Sequence, residues 1–129
     1  MRILGFIAAG IGLSGCGSQV SSLPAAFQGQ WDLTPALCQD VDGVSRVTID
    51  ATGLGYYESS AILSGPALKL GDRVSGRFEM GGTDFDYEGV TPKDLHQSGE
   101  LVLTDGGTGL IVTFSGRRLN YVRCARNRV

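Results

Sequence analysis

The chain has few of the residues on which most catalytic and metal sites depend. Its 129 residues include one histidine and three cysteines, and no two cysteines have Cys-x-x-Cys spacing. The histidine, His96, lies in a polar segment with no Gly-x-Ser-x-Gly or Cys/His signature beside it. A catalytic histidine needs a nucleophile and an orienting group within reach. We therefore expect a protein that is not an enzyme and that holds no metal or cofactor.

Long apolar runs and a strong net charge are also missing. The apolar run Ile3–Leu13 has eleven residues and is interrupted by glycines, whereas a membrane-spanning helix needs about 20 residues. The formal charge is only −2, which argues against nucleic acid as the main partner.

Helical periodicity is absent after the N-terminus, and apolar residues alternate with polar ones as in β-strands. About eight short antiparallel strands are expected, which predicts an all-β domain, either a small barrel or a sandwich. The domain is expected to span residues 27–124, followed by a basic tail at 125–129. The segments with strand character are Gly29–Leu33, Ser45–Ile49, Gly55–Ser59, Ala67–Leu70, Arg73–Met80, Thr83–Glu88, Glu100–Thr104, Gly109–Phe114 and Arg117–Cys124.

Two hairpins can be predicted with a register. Gly81-Gly82 offers a two-residue turn that would place Phe78 opposite Phe85 and Arg77 opposite Asp86. The acidic residues of that second strand are expected to form a solvated face, because alternate residues of a strand lie nearly 7 Å apart and do not converge on one ion.

The second hairpin turns at residues 105–108. Its register pairs Leu103 with Leu110 and Leu101 with Val112, all on one face. The last strand alternates poorly, which indicates a bulge or an exposed end.

The N-terminus ends its apolar run with Leu13-Ser14-Gly15-Cys16, which resembles the lipobox of bacterial lipoproteins. The resemblance implies a signal peptide at residues 1–15 and a Cys16 that carries a diacylglyceryl group and an N-acyl chain such as palmitate. Because Gly17 rather than Asp follows, it also implies an outer-membrane location facing the periplasm. An ordinary secretory signal with a chance cysteine is the alternative.

With Cys16 acylated, two cysteines remain, Cys38 and Cys124. In an oxidising compartment such an even pair indicates a disulfide. Residues 16–26 are expected to be the lipidated cysteine and a flexible tether, since Gly17–Leu23 is small and polar, so that the folded domain would begin near Phe27.

Gly29-Gln30-Trp31 resembles the Gly-x-Trp opening of lipocalins. That resemblance implies a late arginine packed near the tryptophan, either Arg117 or Arg123. Together with Thr34-Pro35-Ala36, Cys38, Tyr57-Glu58-Ser59 and Arg123-Cys124, the motif also resembles a pattern in small secreted β proteins of alphaproteobacteria, from which no activity can be transferred. Periplasmic lysozyme inhibitors share the architecture by analogy only.

Trp31, Tyr57 and Glu58 are the candidate ligand-binding residues, because Trp and Tyr combine apolar area with a polar group. Packing of the core is the alternative role for the aromatic residues. We expect an envelope protein that binds a small apolar or amphipathic ligand or an envelope component. The alternative is a protein-interaction or inhibitor module that uses exposed loops such as Gly89–Gln97.

Overall fold

A computed structural model describes residues 17–82 and 95–125, which form ten β-strands and three short 3₁₀ turns. No helix among these residues is long and apolar enough to cross a membrane. The 3₁₀ turns are Ala25–Phe27, Leu37–Gln39 and Asp105–Gly107. The strands are β1 Ser18–Val20, β2 Gly29–Asp32, β3 Val47–Asp50, β4 Gly53–Gly55, β5 Ser59–Leu63, β6 Ala67–Leu70, β7 Arg73–Gly82, β8 His96–Thr104, β9 Gly109–Phe114 and β10 Arg117–Arg123.

Eight of the strands close into an antiparallel barrel, in the order β2, β3, β4, β5, β7, β8, β9 and β10, with β10 pairing back to β2. The remaining two strands extend from β7, which pairs with β6, while β6 pairs with β1. Closure confirms the predicted all-β barrel and excludes the sandwich.

The β8–β9 hairpin confirms the predicted register. Leu103 pairs with Leu110 and Leu101 pairs with Val112. All four side chains are buried in the barrel. Alternation with a period of two set this register correctly because one face of each strand is buried and the other is not.

The predicted pairing of Phe78 with Phe85 is wrong. Strand β7 does not turn at Gly81-Gly82 but continues through both glycines, where they pair with Ser60 and Ser59 of β5. Residues 83–94, including the predicted strand Thr83–Glu88 and its acidic face, lie outside the described residues. Gly82 has φ +105° and lies so close to the backbone of β5 that no Cβ would fit. Gly82 therefore allows a close approach of two strands and does not form a turn.

The two strand partners of Phe78 are Leu63 and Gln97, and Arg77 pairs with Ser98 instead of Asp86. The predicted strand Gly55–Ser59 is likewise wrong, because it spans the turn between β4 and β5. The Tyr56 backbone N–H donates to the Ser59 carbonyl across that turn.

The N-terminal tether also needs correction. Residues 18–20 form β1 on the edge of β6, and the Leu23 side chain is fully buried. The folded structure therefore begins at least nine residues before Phe27. Small polar residues made this segment resemble a linker, yet they also suit an edge strand beside a single buried leucine.

Strand β10 shows the exposed end expected for the last strand. Its first four residues, 117–120, are exposed, and the register with β9 runs without interruption from Arg117 to Val122. Within the described residues, β2 pairs with β10 only at Val122 and Arg123. The first half of β10 therefore pairs with β9 on one side and has no partner among the described residues of β2 on the other.

A candidate ligand cavity at the open end of the barrel

One end of the barrel is closed by Trp31 and the segment that precedes it. The Trp31 indole N–H donates to the Phe27 carbonyl at 3.0 Å, and the side chains of Leu23, Phe27 and Trp31 are fully buried. Arg123 stacks its guanidinium on the indole at 4.2 Å from the ring centroid. This late arginine is the one that the lipocalin resemblance implied, with Arg123 rather than Arg117 in the role.

Arg123 also stabilises the closed end through hydrogen bonds to three backbone carbonyl groups. Its guanidinium donates to Ala26 at 2.7 Å, to Gln28 at 2.9 Å and to Gly107 at 3.1 Å. A planar guanidinium can make these bonds while its face lies on an aromatic ring, which an ammonium group cannot do. Arg123 and Trp31 therefore close this end of the barrel together.

The opposite end contains a cavity of about 570 Å³. It lies where β2, β7 and β9 end and where β3, β5, β8 and β10 begin. Its lining residues are Leu33, Val44, Ser45, Tyr56, Ser59, Met80, Gln97, Val112, Phe114, Ser115, Arg117, Leu119 and Tyr121.

Buried and half-buried apolar side chains, among them Met80, Val112 and Phe114, line the inner part of the cavity. Phe114 packs edge-on against the fully buried Phe78, with ring centroids 5.2 Å apart. The ring of Phe114 lies over Gly99, its cross-strand partner, where any Cβ would collide with it. A glycine at this position thus makes the room that the aromatic wall requires.

Two tyrosines, Tyr56 and Tyr121, also line the cavity. Burial raises the pKa of Tyr56 far above its usual range. Burial also raises the pKa of Tyr121, and the nearby Asp32 carboxylate adds to that shift. Both phenols are therefore neutral hydrogen-bonding groups at physiological pH. Arg117 is the one charged side chain among the described residues that line the cavity.

A buried carboxylate orders the loop at residues 33–46, which forms one wall of the cavity. Asp32 is fully buried and accepts from the Ser45 hydroxyl at 2.6 Å and from the Arg46 Nε at 3.3 Å. Arg46 in turn donates to the carbonyls of Leu37, Cys38 and Asp40 at 2.7–3.1 Å. One ion pair thus fixes both ends of the loop.

The disulfide between Cys38 and Cys124 is confirmed, with the two Cα atoms 5.4 Å apart. It joins the 33–46 loop to the residue that follows β10, across 86 positions of sequence. The Cys124 backbone N–H also donates to the Gln30 carbonyl. Together with the Asp32–Arg46 pair, the disulfide attaches the loop to the residues at the ends of β2 and β10.

The predicted ligand-binding residues do not come together. Trp31 belongs to the closed end, and Tyr57 and Glu58 are exposed in the turn after β4, with Tyr57 60% exposed. Tyr56, the neighbour of Tyr57, lines the cavity instead. Strand alternation could not distinguish the two tyrosines, because both lie in a turn. Cys16 lies outside the described residues.

No group of three or more His, Cys, Asp or Glu side chains within the described ranges is placed to hold a metal ion. Comparison with protein-family models, with curated proteins and with solved structures finds no match for the chain.

Proposed function

We propose that this protein is a lipid-anchored envelope protein that binds a small apolar or amphipathic ligand in the cavity at the open end of its barrel. The observation that carries the proposal is the cavity itself. Its volume of about 570 Å³ falls within the range of roughly 300–1,000 Å³ that is usual for small-molecule sites. A barrel filled throughout by its own side chains would have favoured recognition by the outer surface only.

The lining indicates the chemistry of the ligand. The apolar side chains of Met80, Val112 and Phe114 suit a hydrocarbon or ring system, since burial of apolar surface drives such binding. The tyrosine and serine hydroxyl groups can orient a polar head, and Arg117 favours a head that is neutral or anionic. Binding of this kind needs no catalytic group.

The anchor rests on the N-terminal sequence. Leu13-Ser14-Gly15-Cys16 has the lipobox pattern, and two or three acyl chains at Cys16 would hold the protein stably on a membrane, as a single chain does not. Gly17 favours the outer membrane with the barrel in the periplasm, a compartment compatible with the disulfide. The membrane and a small ligand or envelope component are then its partners.

Ligand binding can be tested by titration of the soluble Cys16→Ser protein with the amphipathic fluorophore 1-anilinonaphthalene-8-sulfonate. We expect saturable binding that Ser59→Trp abolishes, because Ser59 lines the cavity and an indole would fill it. Asn120→Trp is the matched control, since Asn120 is exposed on β10 and is not among the lining residues. Equal binding by both variants would show that the probe does not use the cavity.

The anchor has a separate test. Cys16→Ser should move the protein from the membrane pellet to the soluble fraction of fractionated cells. A variant that stays in the pellet in unchanged amount would rule out lipid attachment at Cys16.

A second function, recognition of a protein partner, is favoured by two exposed apolar residues of the loop at residues 33–46. Val41 is 94% exposed and Val44 is 58% exposed, both on the loop that the disulfide holds. Most of the loop Gly89–Gln97 lies outside the described residues. Inhibition of lysozyme by the soluble protein tests one such partner, and no inhibition at about micromolar concentration, a usual strength for specific contacts, would remove it.

A further inference from the structure

The segment that follows Cys16 is fixed to the body of the protein. Ser18 pairs with Lys69 and Val20 with Ala67, and the Leu23 backbone N–H donates to the Ala51 carbonyl at 2.9 Å. These bonds hold the segment in an edge strand. The chain therefore has a defined position on the barrel from its first described residues onward.

Gly17 lies directly against strand β6. A Cβ at Gly17 would lie 2.7 Å from the Lys69 carbonyl oxygen and 2.9 Å from Cδ1 of Leu68. Consecutive Cα atoms are 3.8 Å apart, so Cys16 can reach no further than one peptide unit from this point. An acyl group on Cys16 would emerge directly beside β6.

This part of β6 belongs to the closed end of the barrel. Leu70 pairs with Arg73 at the start of β7, and the neighbouring Asp72 carbonyl accepts from the Leu103 backbone N–H near the end of β8. The cavity lies at the other end of these strands. Along β7, Val74 is the partner of Lys69, and Met80 lines the cavity; six residues of strand separate them by about 20 Å.

The outer face of β6 is also unusually apolar for an exposed strand. Leu68 and Leu70 alternate with the buried Ala67 and are 47% and 50% exposed. Their side chains point away from the core beside Gly17. Leucines next to acyl chains can enter the boundary between lipid headgroups and hydrocarbon, where apolar side chains are stabilised.

The following inference rests on the proposed anchor at Cys16. We infer that the outer face of β6, with Leu68 and Leu70, lies on the surface of the phospholipid bilayer, and that the cavity opens away from this bilayer toward the periplasm. The ligand then enters from the aqueous side and is not extracted from the anchoring membrane. The position of β1, rather than a long tether, fixes this orientation.

The test uses the full-length acylated protein in phosphatidylcholine vesicles that carry nitroxide headgroups. Leu70→Cys and Val44→Cys are compared after labelling with a thiol-reactive fluorophore. Both sites are exposed aliphatic positions, and the native Cys38 and Cys124 do not react because they form the disulfide. Val44 lines the cavity.

We expect the nitroxide lipid to quench the label at position 70 and to leave the label at position 44 unchanged. If the protein floats with the vesicles but the label at position 44 is quenched as strongly, the orientation is wrong while the anchor stands. If the protein does not float and mass spectrometry finds no acyl group on Cys16, the anchor and the orientation are both wrong. Probe binding by the soluble protein is measured independently of either result.

Discussion

The two ends of the barrel differ in whether their side chains pack against the protein or border a cavity. At the closed end, Trp31 and Arg123 use their polar groups on the protein itself, and the apolar surface around them is fully buried. At the open end, Tyr56, Phe114 and Arg117 border a cavity of about 570 Å³. At the closed end the side chains contact other parts of the protein. At the open end they border a space that a ligand could fill.

The difference predicts that stability depends mainly on the closed end and that the proposed ligand binding depends on the open end. A barrel that is closely packed at one end can remain stable with a cavity at the other. The cavity costs only the van der Waals contacts of the residues that line it. Substitutions at the closed end should therefore unfold the protein, whereas those at the open end should alter ligand binding first.

The largest effect is expected for Trp31→Ala. Removing a fully buried tryptophan costs about 3–5 kcal/mol of unfolding free energy, and here it also removes the surface on which Arg123 stacks. Urea unfolding followed by circular dichroism measures the change. Phe114→Ala at the open end is the control and should cost less, since Phe114 is only half-buried; an equal loss in both variants would contradict the separation.

Removing the disulfide comes next. The double substitution Cys38→Ser and Cys124→Ser should lower the unfolding free energy by about 2–5 kcal/mol, mainly because the unfolded chain gains freedom. Probe binding at temperatures where the variant stays folded should weaken as well, because the released loop carries Leu33 and Val44 of the cavity wall. Unchanged affinity would show that the Asp32–Arg46 pair alone holds that wall.

Arg123→Lys should have a smaller effect, about 1–2 kcal/mol. A lysine keeps the charge but cannot bond three carbonyls while stacking on Trp31. Urea unfolding is again the measurement. Arg118→Lys on the exposed start of β10 is the control, and a loss as large as in Arg123→Lys would assign no special role to the closed end.

At neutral pH the smallest change is expected for Tyr56→Phe, but it should alter the response to alkali. The folded state raises the pKa of Tyr56, so above pH about 10 the unfolded state loses this proton while the folded state keeps it. Stability should therefore fall as the pH rises beyond 10, and less steeply in Tyr56→Phe. The measurement is the unfolding free energy from urea unfolding between pH 9 and about 11. An equal fall with pH in the original protein and in Tyr56→Phe would contradict the burial of this phenol.

Local alternation and the cysteine count were sufficient to predict one hairpin and the disulfide. The β8–β9 hairpin was correct because its four apolar residues alternate on either side of a short turn. The disulfide could be predicted from the two cysteines that remain when Cys16 is set aside as the expected lipidation site. The Gly-x-Trp resemblance implied an arginine packed near Trp31 but left Arg117 and Arg123 open, and Arg123 makes that contact.

The path of the chain at two turns and the empty space inside the barrel could not be predicted from the sequence. Gly81-Gly82 fits a tight turn as well as a close strand contact, and only the pairing with Ser59 and Ser60 decides between them. The cavity was equally hidden, because an aromatic residue such as Phe114 can fill a barrel or border an empty space. Tyr56 and Tyr57 could be told apart only by the path of the turn after β4.

The most direct test of the account is a titration of the isotope-labelled soluble protein with laurate, followed by NMR. We predict chemical-shift changes at Val112, Phe114 and Leu119 around the cavity, with the Trp31 indole resonance unchanged. Changes centred on Trp31, or none at the cavity residues when laurate is in excess, would contradict the assignment of binding to the open end.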